Sequence, residues 1–219
     1  MAKSRPGVST SFAPDDPPFD AATLQFYARE APTYAASGLG GTSRFLRPFL
    51  SMLPPEASVL ELGCGGGRDA AAMLAAGFRV DVTEGVPEVA REAEKRLGRP
   101  VRIMRFDELD ALAAYDAVWA HASLLHVPLA RLPIVLHKIF QALKPGGLHF
   151  ANYKAGGVEG RDRYGRYFNF PSREQLLTAY RRGGEWQIVS IESYTGGGYD
   201  GRQGPGIALT ARRPLNDEP

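Results

Sequence analysis

Between Val59 and Gly77 the chain reads VLELGCGGGRDAAAMLAAG: a short apolar run, glycines at 63, 65, 66 and 67, then a stretch rich in alanine. An apolar run of that length ending in glycine suits a buried parallel strand, and the segment after it suits a helix that Gly77 terminates. A strand that passes through glycines into a helix N-terminus leaves backbone N–H groups unpaired, and the helix dipole favours negative charge there. The stretch therefore commits the chain to a strand, turn and helix around an anion site, to be filled by a pyrophosphate or a carboxylate. Dinucleotide binding requires G-x-G-x-x-G/A. Gly63 and Gly65 fit, but the third position is Arg68, a bulky side chain where helix must pack on strand.

The flanking sequence repeats the same alternation. A helix capped by Asp20, broken by Pro32 and closed near Gly38, and a second over Ser43–Leu53, precede the strand Ala57–Gly63. The helix Gly67–Gly77, the strand Phe78–Glu84 and a helix from Pro87 to Gly98 follow. Val101–Met104 and Asp116–His121 read as the third and fourth strands. A helix over Ala130–Gly147 carries Leu132, Val135, Leu136, Ile139 and Leu143 on one stripe, and Leu148–Lys154 is the fifth strand. Pro171–Gly184 is a helix with a capping box, Ser172 to Gln175. Trp186–Tyr194 and Ile207–Arg213, joined by TGGGYDGRQGP, read as an antiparallel edge pair. The expectation is an α/β fold: a doubly wound seven-stranded sheet, mostly parallel, with helices on both faces and ligands at the carboxyl ends of its strands. One domain is expected over 20–213, with cap helices at 20–53, a core at 54–153, and a lid and late strands at 154–213. Residues 1–19 and 214–219 read as tails, the first holding four prolines among its first 18 residues.

Composition excludes several classes. Lys and Arg total 26 against 24 Asp and Glu, a balance too even for a nucleic-acid surface. The single cysteine, Cys64, precludes an internal disulfide and stands in no metal-ligand spacing. No apolar run approaches the roughly 18 residues of a membrane span, so a cytoplasmic protein is expected.

Ahead of the glycines stands an acid, giving E-x-G-x-G-x-G from Glu61 to Gly67. This resembles the first motif of the class I S-adenosylmethionine-dependent methyltransferases, which have a Rossmann-like fold. The resemblance covers about Tyr27 to Tyr153 and includes LKPGG, Leu143 to Gly147, as the turn before the fifth strand. It implies that the helix N-terminus beyond Gly63, Cys64, Gly65, Gly67 and Arg68 takes the cofactor carboxylate, and that Glu61 attracts its ammonium. It implies that Glu84, 21 residues after Gly63 and beside Gly85, accepts the ribose hydroxyls, with Asp81 the weaker candidate. In RFDEL it implies Asp107 for the adenine amine, Phe106 against the ring and the Glu108 amide at its edge. Tyr27 and Tyr34 resemble aromatics that close over the cofactor. The chain departs from the family in Glu84-Gly85-Val86, where a serine is common, and has no N-P-P-Y after the fourth strand, which argues against base-amino DNA methylation.

The expected reaction is in-line displacement of the methyl group by a small-molecule nucleophile, leaving S-adenosylhomocysteine. His121 and His126, at the carboxyl end of the fourth strand, are candidate bases or site walls, whereas His137 and His149 read as structural. A soft nucleophile needs no base. Cys64, near a helix N-terminus, is a candidate for a lowered pKa but reads as a small turn residue. The segment Tyr153–Phe170 interleaves Lys154, Arg161, Arg163 and Arg166 with Tyr164 and other aromatics, a lid suited to an anionic or planar acceptor, to which Tyr199 and Arg202 would contribute. No metal is expected. The rival readings are a nicotinamide-dependent oxidoreductase and a catalytically silent adenosylmethionine-binding regulatory module.

Overall fold

The computed structural model describes residues 17–37, 41–199 and 201–215. Most of both expected tails, and the expected helix stop at Gly38, lie outside them. The first helix, α1 (Ala21–Ser37), starts where Asp20 Oδ1 accepts the Thr23 N–H at 2.8 Å. It does not break at Pro32 as the sequence suggested. The ring removes one backbone bond, but α1 buries Phe26 and Ala31, and Leu24, Tyr27 and Tyr34 pack with Ala31 on Val86 and Val89. Packing thus holds the helix across a residue whose propensity opposes it.

A short α2 (Leu46–Leu50), less than half the expected span, leads to β1 (Ser58–Leu62), α3 (Arg68–Ala75), β2 (Arg79–Glu84) and α4 (Pro87–Leu97). Next come β3 (Arg102–Ile103), only two residues long, β4 (Tyr115–Ala120), α5 (Leu132–Ala142) and β5 (Leu143–Lys154). The LKPGG segment lies inside β5 instead of preceding it. Leu143 pairs with Tyr115, and the register then jumps so that Leu148 pairs with Ala117, which absorbs the turn as an irregularity of the strand. The expected lid holds a small antiparallel hairpin, β6 (Gly160–Arg161) with β7 (Tyr167–Phe168). After α6 (Arg173–Gly183), whose Ser172–Gln175 capping box is formed on both sides, β8 (Gln187–Gly197) and β9 (Gln203–Arg212) pair along their whole length.

The seven-stranded sheet runs β3-β2-β1-β4-β5-β9-β8, parallel from β3 to β5 and antiparallel beyond. Successive residues of β1 point to opposite faces. Leu60 and Leu62 join Leu132, Leu136 and Leu176 under α5 and α6, while Val59 joins Phe49, Met73 and Ala90 under α2, α3 and α4. With both faces covered, ligand access is left at the strand ends. Because the chain leaves β1 toward β2 and returns on its other side at β4, the crevice opens at the carboxyl ends of β1 and β4.

Candidate active site

The glycine turn sits in that crevice. Gly63, Gly65 and Gly67 have φ of +73°, +55° and +73°, and Gly67 in the left-handed region caps α3. At Gly63 there is also no room, since a Cβ there would lie 2.8 Å from Ser123 Cβ. Gly63→Ala is therefore expected to destabilise the protein by about 2–3 kcal/mol, combining left-handed strain with overpacking. The check is thermal unfolding, where a drop of roughly 5–10 °C is expected for a chain of this size.

Three acids converge here with different fates. Glu84, at the end of β2, accepts from the Gly65 N–H at 3.0 Å and the Val86 N–H at 3.1 Å. Burial pushes its pKa up to about 6 despite these bonds. Asp69, in the first turn of α3, accepts from Ser43 N at 2.8 Å and Trp119 Nε1 at 3.0 Å. Glu61 is 3% exposed, and its Oε2 has no hydrogen-bond partner. Burial, then Asp69 and Glu84, hold its carboxyl well above the usual range. A buried carboxylate oxygen without a donor, beside unpaired helix N–H groups, is suited to a ligand ammonium. The Cys64 thiol is pushed up, first by burial and then by Glu61 and Glu84, so the helix terminus does not make it reactive.

Two cavities meet at the turn. The narrower, about 80 Å³, is lined by Glu84, Gly85, Arg105, Phe106 and Ser123, with Leu24 of α1 above. The larger, about 660 Å³, is lined by Glu61, Arg68, Asp69, His121, Asn152, Lys154 and Tyr199. Tyr27, Tyr34, Gly63, Gly65, Ala122 and His126 line both. Asp107 does not line the narrow cavity. It binds the Arg105 guanidinium through both oxygens, at 3.0 and 3.1 Å, while Glu108 accepts from the Arg105 N–H at 2.8 Å. Asp81 lies apart, holding Arg102 and Tyr115.

His126 has both ring nitrogens engaged. Its Nδ1 lies 2.6 Å from the Tyr167 carbonyl, which only accepts, so Nδ1 carries the proton and Nε2 accepts from the Tyr27 hydroxyl at 2.9 Å. Burial, then the nearby Arg166, lower its pKa to about 3. His121 stands 3.6 Å from Asp69 Oδ2, and burial lowers its pKa despite that acid. Burial raises the Tyr27 phenol to about 12 and pushes Tyr34 higher still.

The cations of the expected lid are mostly spoken for. Arg161 binds Asp20 at 2.7 and 2.9 Å, Arg166 binds Asp162 at 2.7 Å, and Arg163 stacks on Tyr164. Arg166, 2% exposed, lies within 5.7 Å of the ring centres of Phe26, Tyr27, Tyr164, Phe168 and Tyr199. Lys154 sits 4.5 Å over Phe168 and has no acidic partner among the described residues.

Against known proteins, residues 59–147 match the family model of the methyltransferase domain. The matched stretch runs from β1 into β5 and contains the glycine turn and Glu84. Over 93% of its length it is similar to the solved 1,6-didemethyltoxoflavin-N1-methyltransferase of Burkholderia thailandensis, which holds 1,6-didemethyltoxoflavin and S-adenosylhomocysteine. That likeness has a TM-score of 0.69 at 21% identity and covers 93% of the solved chain. The solved cyclase SpnF shares the fold at a TM-score of 0.68 and 20% identity, over 91% of this chain and 99% of its own. Hemagglutinin 1 of Eikenella corrodens is 24% identical over 183 residues, 80% of this chain, which spans 59% of the length of that relative.

The structure brings Glu61, the glycines, Arg68, Glu84, Gly85 and Phe106 to one crevice, with Tyr27 and Tyr34 over it. It places Asp107, Glu108 and Arg161 in protein ion pairs. Sequence reasoning missed Arg105, Ser123, Asn152 and Asp69. Only Asp69, an acid in the first turn of a helix beside the glycines, left a local signal.

Proposed function

We propose that this chain transfers a methyl group from S-adenosylmethionine to a small anionic or planar acceptor. The observation that carries the reading is the buried Glu61 carboxyl at the glycine turn, whose Oε2 has no hydrogen-bond partner. The residues fit the cofactor: Glu61 for its ammonium, the first N–H groups of α3 for its carboxylate, Glu84 for ribose hydroxyls and Phe106 for a face of the adenine. When bound, this cofactor supplies an activated methyl group that passes to the acceptor by in-line displacement. Tyr27 and Tyr34 exclude water from the junction of the two cavities.

The acceptor end favours a nucleophile that arrives without its proton. His126 and His121 are both held neutral and weakly basic, so neither is suited to pull a proton from a poorly acidic group. With Arg161 and Arg166 paired inside the protein, Lys154, Arg68 and Arg44 bring positive charge to the lining of the larger cavity, Lys154 against the aromatic face of Phe168. These observations support an acceptor that pairs an anionic group with a flat apolar body.

A cyclase shares the fold, so the fold alone does not specify methyl transfer. The test is incubation with methyl-labelled adenosylmethionine and a panel of small phenolates, thiolates, carboxylates and heteroaromatics. Label is expected in an anionic or heteroaromatic member, one that needs no histidine base. Binding of the cofactor without label in any acceptor would favour the regulatory module, and calorimetric binding of NAD in place of adenosylmethionine would favour the oxidoreductase. Among the described residues no helix is long and apolar enough to cross a membrane, and no group of acids, histidines and cysteine is arranged to hold a metal ion.

A further inference from the structure

The turn after β4 contains a strained residue fastened by a side chain from another strand. Ala122 has φ +52°, in the left-handed region that residues with a Cβ avoid by roughly tenfold in population. Its N–H donates to Asn152 Oδ1, on β5, at 2.7 Å. Asn152 is 4% exposed, and its Nδ2 donates to Tyr194 Oη, on β8, at 2.7 Å. Tyr194 is itself fixed, with its ring edge-on to Phe45 at 5.1 Å and the Arg44 guanidinium 4.8 Å above it. On the other side of Ala122, Ser123 is seated so closely on Gly63 that a Cβ there would collide with it. Ala122 lines both cavities. A single amide therefore connects the carboxyl end of β5 and the body of β8 to the turn that closes the glycine loop.

We infer that Asn152 is a positioning residue that holds the Ala122 turn in its left-handed form and so seats Ser123 against the glycine loop. Strain of this kind persists only where the surroundings impose it, and here the imposing group is the Asn152 amide. Without that bond the turn relaxes toward ordinary backbone, Ser123 withdraws from Gly63, and the wall shared by the two cavities loses its shape. The inference rests on the reading proposed above only in naming adenosylmethionine as the ligand that senses this wall. The fastening itself belongs to the cofactor-free chain.

The test compares wild type, Asn152→Leu, and Asn152→Leu combined with Ala122→Gly, with Asn152→Ala in place of the leucine variant should that one not fold. Amide hydrogen exchange of the 121–124 segment is measured without cofactor, and S-adenosylhomocysteine affinity by calorimetry. Asn152→Leu is expected to speed exchange at Ala122 and to weaken S-adenosylhomocysteine by about tenfold, since the competent turn becomes a minor population. Adding Ala122→Gly is expected to recover at least about threefold of that affinity, because glycine adopts φ +52° without penalty; a merely structural loss would not be rescued there. Unchanged exchange and affinity in Asn152→Leu overturns the inference, and so does a double variant as weak as the single one. Should wild type fail to bind S-adenosylhomocysteine, the adenosylmethionine reading falls, while the exchange comparison still decides the role of Asn152.

Discussion

Glu61→Gln is expected to weaken adenosylmethionine binding by roughly 10- to 100-fold, the value of a charge-assisted hydrogen bond in a desolvated site. It is also expected to raise the melting temperature of the cofactor-free protein at alkaline pH. Glu61 is buried with one oxygen unpartnered, and its pKa is raised well above the ordinary 4.5. A carboxyl whose folded pKa is raised binds its proton more tightly in the native state than in the unfolded one. The stability this gives is present below the unfolded value and is lost as pH rises through the folded value. Wild type should therefore lose stability as pH climbs above 4.5, and the glutamine variant, which does not titrate, should show a flatter profile. Calorimetry and thermal unfolding across pH check both halves. Wild-type affinity in the variant would remove Glu61 from the proposed ammonium site, and an unchanged pH profile would show that its burial costs nothing.

Arg166→Met is expected to destabilise the chain by about 3 kcal/mol, because removing one partner of a buried ion pair strands the other. The Arg166 side chain is 3% exposed and that of its partner Asp162 17%. The guanidinium also donates to the Tyr27 hydroxyl at 3.1 Å and fills the space among five aromatic rings. Methionine preserves much of the apolar volume, so the loss reports the charge and its bonds. A melting temperature lower by about 10 °C is expected, with partial recovery when Asp162→Asn is added, since the stranded charge is then gone. Equal stability of wild type and Arg166→Met would show that the ion pair holds nothing together. Because Tyr27 would keep only its bond to His126, cofactor affinity should fall along with stability.

The parts of this site that were legible in the sequence are those whose chemistry is local. Glu61, the glycines and Arg68 occupy one strand, turn and helix, and Glu84 ends the next strand, so spacing alone brings them near one another. Tyr27 and Tyr34 are seven residues apart, two turns of a helix, and therefore share a face. Other features depend on partners that spacing does not reveal. Asp107 turns back to Arg105 at a single tight helical turn, where residues two apart meet although the α-helical period sets them on different faces. Asn152 reads as a polar position in a mostly apolar strand, and its role appears only when the turn after β4 lies beside it and Tyr194 of β8 reaches it across β9. Pro32 misled because its cost is local, while the packing that offsets it comes from Val86 and Val89 far along the chain. The β6–β7 hairpin escaped notice because two-residue strands are too short for alternation to show.

The cover of the site joins the beginning of the chain to its last third. Arg161 meets Asp20, the Tyr167 N–H donates to Thr23 Oγ1 at 2.8 Å, and Arg166 meets Tyr27, across 141, 144 and 139 residues of sequence. A polypeptide emerging from the ribosome could pair β1, β2 and β4 and seat α1 on Val86 and Val89 before Arg161, Arg166 and Tyr167 were available to fasten it. The crevice is then built before its cover is fastened, and the fastening closes a loop longer than half the protein at a corresponding cost in chain entropy. Release of α1 from these three contacts would open the crevice while the sheet beneath stays folded, and faster amide hydrogen exchange in α1 than in β1 and β4 is the expected sign of it.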